Sequence, residues 1–135
     1  MPATPPMDPI LRRALAATAV MNLAGSPAFT PAGEGLRAAF GLPAAHPLWP
    51  LVVGSFIFAM GLGYAALAVR NRSEPVFVAV AIVGKSSFAG ILAATAWQGE
   101  LPWSTAITGL PDLVFALVFA WRLAATGGGD ARPAA

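Results

Sequence analysis

Two residues of opposite charge, Lys85 and Asp112, fall inside long apolar stretches and are the chain's strongest candidates for chemistry. A lysine at the centre of a membrane helix costs about 2.5 to 3.5 kcal/mol on insertion scales, so it needs a partner or a purpose. Counting along the helices supplies the partner. Lys85 lies about 12 residues before Trp97, roughly 18 Å of helix, and Asp112 about 9 residues after Trp103, roughly 14 Å. On adjacent antiparallel helices the two depths agree within a turn, and each charge is the cheapest solution for the other. Such a pair can hold a substrate, a lipid headgroup or a proton, or it can act as a buried bridge that fixes helix register. Asn22 and Tyr64 are the candidate further members of this intramembrane polar site. Tyr64 is expected toward the cytoplasmic end of its helix, where a tyrosine also suits the membrane interface.

Other reactive groups are few. His46 is the only histidine, between Ala45 and Pro47 in a loop, and reads as an exposed loop residue. With no cysteine beside it, a metal or haem site would lack ligands, so no metal and no cofactor is predicted. Ser86 and Ser87 follow Lys85 and could evoke a Ser-Lys nucleophile. Small hydroxylated residues in membrane helices more often bond to backbone or pack at interfaces. No catalytic residue is assigned, and whether the chain is an enzyme stays open, the shortage of reactive groups favouring a non-enzymatic role. The absence of cysteine also removes disulfides and dithiol redox chemistry.

These residues must be positioned by helices that live in lipid. The 135 residues are 57% hydrophobic and 10% charged, against about 25% charged in soluble domains. A chain this short cannot shield several helices that are apolar all round. We predict an all-α, polytopic membrane protein, a single domain folded as a four-transmembrane-helix antiparallel bundle with both termini cytoplasmic. The helices are expected at about 9–25, 48–69, 75–97 and 103–123. Asp8 followed by Pro9 is a strong helix start, because aspartate caps free N–H groups and proline forfeits one that had no partner. The first span is the shortest, with a purely apolar part from Ala14 to Gly25. We read it as a retained helix whose Arg12 and Arg13 snorkel to the headgroups and whose Asn22 bonds to a neighbouring helix. The alternative is a signal peptide cleaved near Gly25 to Ala28.

Residues 1–8 read as a disordered leader and 126–135 as a disordered tail. The segment 26–47, rich in proline and glycine, is an extracytoplasmic loop in which Leu36, Ala39 and Phe40 suit a short interfacial helix. Small residues recur at every fourth position in the second span (Ser55, Ala59, Gly63) and the third (Ser86, Gly90, Ala94). Such stripes let backbones approach closely, so these two helices are expected to pack as a hairpin. In the fourth span Pro111 should kink the helix just before Asp112.

Orientation follows from the cations. Arg12, Arg13, Arg70, Arg72, Arg122 and Arg132 fall on one side of this threading and Arg37 on the other, which puts the termini in the cytoplasm. Trp49, Trp97 and Trp103 then sit at outer helix ends and Trp121 at an inner one, as indoles prefer. The net charge of +2 is scattered rather than clustered, which argues against nucleic acid as a partner.

At Gly61-Leu62-Gly63-Tyr64, at Gly84-Lys85 and at Asp112 with Phe115 and Phe119, the chain resembles small bacterial four-helix membrane proteins of the DoxX-like group. The likeness spans most of the chain through loose motifs. It implies an inner-membrane bundle with both termini inside, in a group largely of unassigned function, some of whose relatives are associated with quinone-linked sulfur metabolism or respiratory complexes. It carries over no catalytic residue. Emopamil-binding-type sterol isomerases are a more distant architectural likeness. Two classes of function follow. One is a non-enzymatic binder of a hydrophobic small molecule or lipid, or an accessory subunit with a membrane protein partner or a second copy of itself. The other is a component of a quinone-linked membrane oxidoreductase, or a small membrane isomerase.

Overall fold

The computed structural model describes residues 6–127, and among them every regular element is helical. The first helix, α1, spans Pro9–Gly25. Asp8 caps it through Oδ1, which accepts from the N–H groups of Ile10 at 3.0 Å and Leu11 at 2.9 Å, while Pro9 occupies the first turn. Order begins earlier than the expected end of the leader. Met7 is buried in the core and its N–H donates to the carbonyl of Asn71 at 3.3 Å. Positions 1–5 of the leader, and 128–135 of the tail, lie outside the described residues.

Two tight turns, Ser26–Phe29 and Pro31–Gly33, lead from α1 into the short helix α2, Glu34–Ala39. Leu36, Ala39 and Phe40 are exposed there, while the Phe40 carbonyl accepts from the Thr105 hydroxyl at 2.6 Å. The helix α3 spans Leu48–Arg70 and ends on Asn71 at φ 52°, a left-handed position that asparagine tolerates better than most residues. α4 spans Pro75–Trp97, α5 spans Trp103–Ile107 and α6 spans Leu110–Gly127. Three segments are long and apolar enough to cross a membrane: Leu48–Arg70, Pro75–Trp97 and Trp103–Ala125, the last counting α5 and α6 together.

The expected kink at Pro111 is a break instead. Proline has no N–H to give the carbonyl four residues back, and its ring collides with it. The chain closes α5 with tight bonds, from Thr108 N–H to Thr105 O at 3.1 Å and Gly109 N–H to Ala106 O at 3.0 Å. A new helix then starts at Leu110, so Pro111 falls in a first turn, where its missing N–H costs nothing. Irregular backbone at membrane depth is tolerated where protein covers it. Gly109 is buried against Ala89 and Leu92 of α4. α6 also runs on to Gly127, past the end expected near residue 123.

The helices pair as α1 on α3 and α4 on α5 and α6, with α1 also touching α6. The expected α3–α4 hairpin does not form along the helix length. Ser86, Gly90 and Ala94 face outward, as do Ser55 and Ala59, and Gly63 meets the ring of Phe77. The buried small residues of α3 are instead Gly54, Gly61 and Ala68, spaced by seven, with α1 against Gly61 and Ala68 and the Ser26–Phe29 turn against Gly54. α1 buries Leu11, Leu15 and Thr18 and α4 buries Val78, Ala81, Lys85 and Leu92, the same seven-residue rhythm. A 3.5-residue period keeps one face turned to its neighbour and gives a shallow left-handed crossing of about 20°. Four-residue spacing would have suited the steeper right-handed crossing.

Trp49, Trp97 and Trp103 mark one end of the assembly, and Arg12, Arg70 and Arg122 the other. At the arginine end, Arg12 Nε donates to Ala68 O at 2.9 Å and Arg122 pairs with Asp8. The densest packing lies toward this end, around Leu15, Tyr64, Val78 and Phe119, which are nearly or fully inaccessible.

Candidate functional site

Lys85 stands on the inward face of α4 because it occupies the seven-residue seam with Val78 and Leu92. Its Nζ donates to Asp112 Oδ1. The lysine is 6% exposed and the aspartate 19%. Asp112 lies in the first turn of α6, where unpaired backbone N–H groups and the helix dipole favour a carboxylate. The break at Thr108–Gly109 thus brings a helix start, and not mid-helix backbone, to the lysine.

Two aromatic rings complete the surroundings of the ammonium. The Nζ atom lies 5.7 Å from the ring centres of both Tyr64 and Phe115. At that range a cation is attracted to the ring face by about 0.5 to 2 kcal/mol, the upper part applying away from water. Tyr64 is not an interfacial residue, as its sequence position suggested. It is 1% exposed, edge-on to Phe77 at 5.4 Å and tilted against Phe119 at 6.1 Å.

Asn22 reaches the neighbouring helix. Its Nδ2 donates to Ile57 O of α3 at 3.4 Å, a long bond, and the residue borders open space. That space is a cavity of about 300 Å³ between the α1–α3 pair and the α4–α6 pair. Lys85, Asp112, Tyr64 and Asn22 all lie on its wall, and the rest is apolar, with Met60, Ala81, Phe29, Phe56 and Phe88 prominent. The four residues singled out from sequence therefore share one chamber.

His46 and the two serines lie elsewhere. His46 is exposed and its Nδ1 accepts from the Leu48 N–H at 3.3 Å, finishing the start of α3. Ser86 and Ser87 are exposed on the outer surface while Lys85 is buried. Successive helical residues point about 100° apart, so the neighbours of an inward lysine are carried away from it. No Ser-Lys nucleophile is assembled among the described residues. No group of three or more His, Asp or Glu capable of holding a metal occurs among them either.

Sequence reasoning missed Gly84 and Phe29 as parts of the chamber, and Phe115 as a neighbour of the lysine. Phe115 follows Asp112 by three and so shares its helix face, a signal that was available. Gly84 sits where an added Cβ would meet nothing within 4 Å, which only the assembled structure shows. Phe29 comes from an irregular turn that no periodicity marks. In comparisons with known proteins, no family model, no curated protein and no solved structure matches this chain.

Proposed function

We propose that the chain is a multi-pass protein of the bacterial inner membrane that binds a hydrophobic small molecule or lipid without transforming it. The observation that carries this reading is the chamber: an apolar cavity of about 300 Å³ with one ion pair, one amide and one phenol on its wall. Small-molecule sites are built in this way, mostly apolar with a few convergent polar groups that orient the ligand. Of these four groups none is a nucleophile activated by a base, so the polar set suits recognition better than bond making.

In this reading α1 is a fourth span. Its 17 residues cover about 25 Å, and the turn Ser26–Phe29 continues it by about 8 Å, together enough for a ~30 Å hydrocarbon core. It runs antiparallel to α3, from Ala68 at Arg12 to Gly54 at Phe29. The arginine end is cytoplasmic by the positive-inside rule, with both termini there and the loop 26–47 outside. α2 then lies in the outer interface with Leu36 and Phe40 toward lipid. The likeness to DoxX-like proteins agrees with this architecture and names no ligand.

The test uses Gly84. Gly84→Phe places a ring in the chamber without displacing a neighbour at Cβ, and removing a mid-helix glycine does not weaken the helix. Native mass spectrometry of the detergent-purified protein should find a hydrophobic molecule retained by the wild type and absent from Gly84→Phe, with unchanged thermal unfolding. A wild type that retains nothing, or equal retention by a well-folded variant, overturns the reading.

A further inference from the structure

We propose that the chamber is loaded sideways from the bilayer, between α3 and α4, by a single-chain amphiphile with an uncharged, hydroxyl-type head. This rests on the binding reading above and adds to it the route and the chemical class.

The route follows from which walls are closed. α3 and α4 are consecutive in the chain, yet they meet toward the arginine end, where Phe77 touches Gly63 and Tyr64, and do not pack along the rest of their length. Nearer the tryptophan end the chamber is edged by Val53, Phe56 and Phe88, all exposed on the outer surface, Phe56 at 68%. Toward the loop, Phe29 forms part of the chamber wall. Phe29 seats so closely on Gly54 that an added methyl there would fall 2.8 Å from the Phe29 Cβ. The turn that carries Phe29 is fastened by Arg37, whose Nη1 donates to Ala28 O and to Thr30 O, the latter at 2.8 Å. Gly33 is in turn packed directly on the Ala28 carbonyl. The loop side carries a fastened turn, and the lipid side an opening.

Size sets the number of chains. A volume of about 300 Å³ is at the bottom of the range for small-molecule sites and equals about ten waters. It admits a head and the first part of one hydrocarbon chain, the remainder lying between α3 and α4 against Phe56 and Phe88.

Charge sets the head. Lys85 and Asp112 cancel, so a carboxylate or an ammonium head would add a charge that no other residue of the chamber wall offsets. The pair nevertheless has bonding capacity left. An ammonium has three donors and a carboxylate two oxygens, and their mutual bond, from Nζ to Oδ1, uses one of each. A hydroxyl can accept from Lys85 and donate to Asp112 Oδ2 at once, without breaking the pair.

The experiment reconstitutes the full-length protein in phosphatidylcholine vesicles. Three probes of equal chain length, a long-chain alcohol, the matching carboxylic acid and the matching amine, each carry a photoreactive diazirine on the chain. Crosslinked residues are mapped by mass spectrometry. The alcohol should label at least about tenfold more than either charged probe, since each charged head brings an unbalanced charge into the chamber. Its crosslinks should fall on Phe56 and Phe88 and disappear in Gly84→Phe. Equal or stronger labelling by the acid or the amine overturns the choice of head. Crosslinks on the 26–33 segment in place of Phe56 and Phe88 overturn the route. If none of the probes labels while another hydrophobic molecule co-purifies, the ligand class is wrong and the binding reading stands. If nothing co-purifies either, the binding reading itself has failed.

Discussion

Lys85 and Asp112 each hold a charge that the surroundings would not tolerate alone, so the sign of a mutation's effect depends on what becomes of the other partner. Lys85→Met or Asp112→Leu leaves one buried charge uncompensated, and each should cost about 3 to 5 kcal/mol. The double substitution replaces the pair with apolar bulk and should be close to neutral. A double-mutant cycle on unfolding in detergent measures this, and additive losses would show two independent residues. The pairing was legible in the sequence because helix rise converts residue counts into depth. Tyr64 was harder to place. Depth says nothing about which way a side chain faces, and only the seven-residue seam of Gly54, Gly61 and Ala68, with Tyr64 three beyond Gly61, turns it inward. The same seven-residue spacing aligns Lys85 with Val78 and Leu92 on α4, so the inward direction of the lysine was legible wherever that period was chosen over the four-residue one.

The helices themselves choose partners through glycines that two spacings make ambiguous. Gly61 is buried, and an added Cβ would come within 3.0 Å of Leu23 and 3.2 Å of Asn22 on α1. Gly90, on the four-spaced stripe of α4, would meet nothing within 4 Å. Gly61→Leu should therefore destabilise the fold by about 1 to 3 kcal/mol through overpacking, whereas Gly90→Leu should be near neutral. Thermal unfolding of the two variants distinguishes the seam actually used from the one that merely fits a motif. Sequence alone favoured the wrong stripe because small residues abound in both helices and either spacing lies on one helical face. The break before α6 was half visible. Pro111 announces a disturbance, but whether the helix bends or stops depends on the tight turns that Thr108 and Gly109 adopt against α4.

For the molecule as a whole, Arg12, Arg13, Arg70, Arg72 and Arg122 gather at one end while Arg37 lies at the other. Reporter fusions after Arg72 and at the C-terminus should both report cytoplasm, and a periplasmic signal after Arg72 would reverse the threading. N-terminal sequencing of the mature protein bears on the same point. Cleavage near Ala28 would remove α1 and bare the face of α3 that carries Gly61 and Ala68. Membrane class and the three long apolar spans were legible in composition and run length. The grouping of helices into two pairs with a chamber between them was not, because it follows from seams that form only on assembly. Asp8 and Arg122 add a point about synthesis. Both described ion pairs take one member from α6: Asp112 answers Lys85, and Arg122 answers Asp8. A ribosome that has made everything before α6 has therefore released a chain with one stranded cation in the bilayer and one stranded anion at its edge. Each finds its partner only once α6 has emerged, so a copy lacking α6 differs from one that has it by two unpaired charges, although Asp112 and Arg122 together add nothing to the net charge.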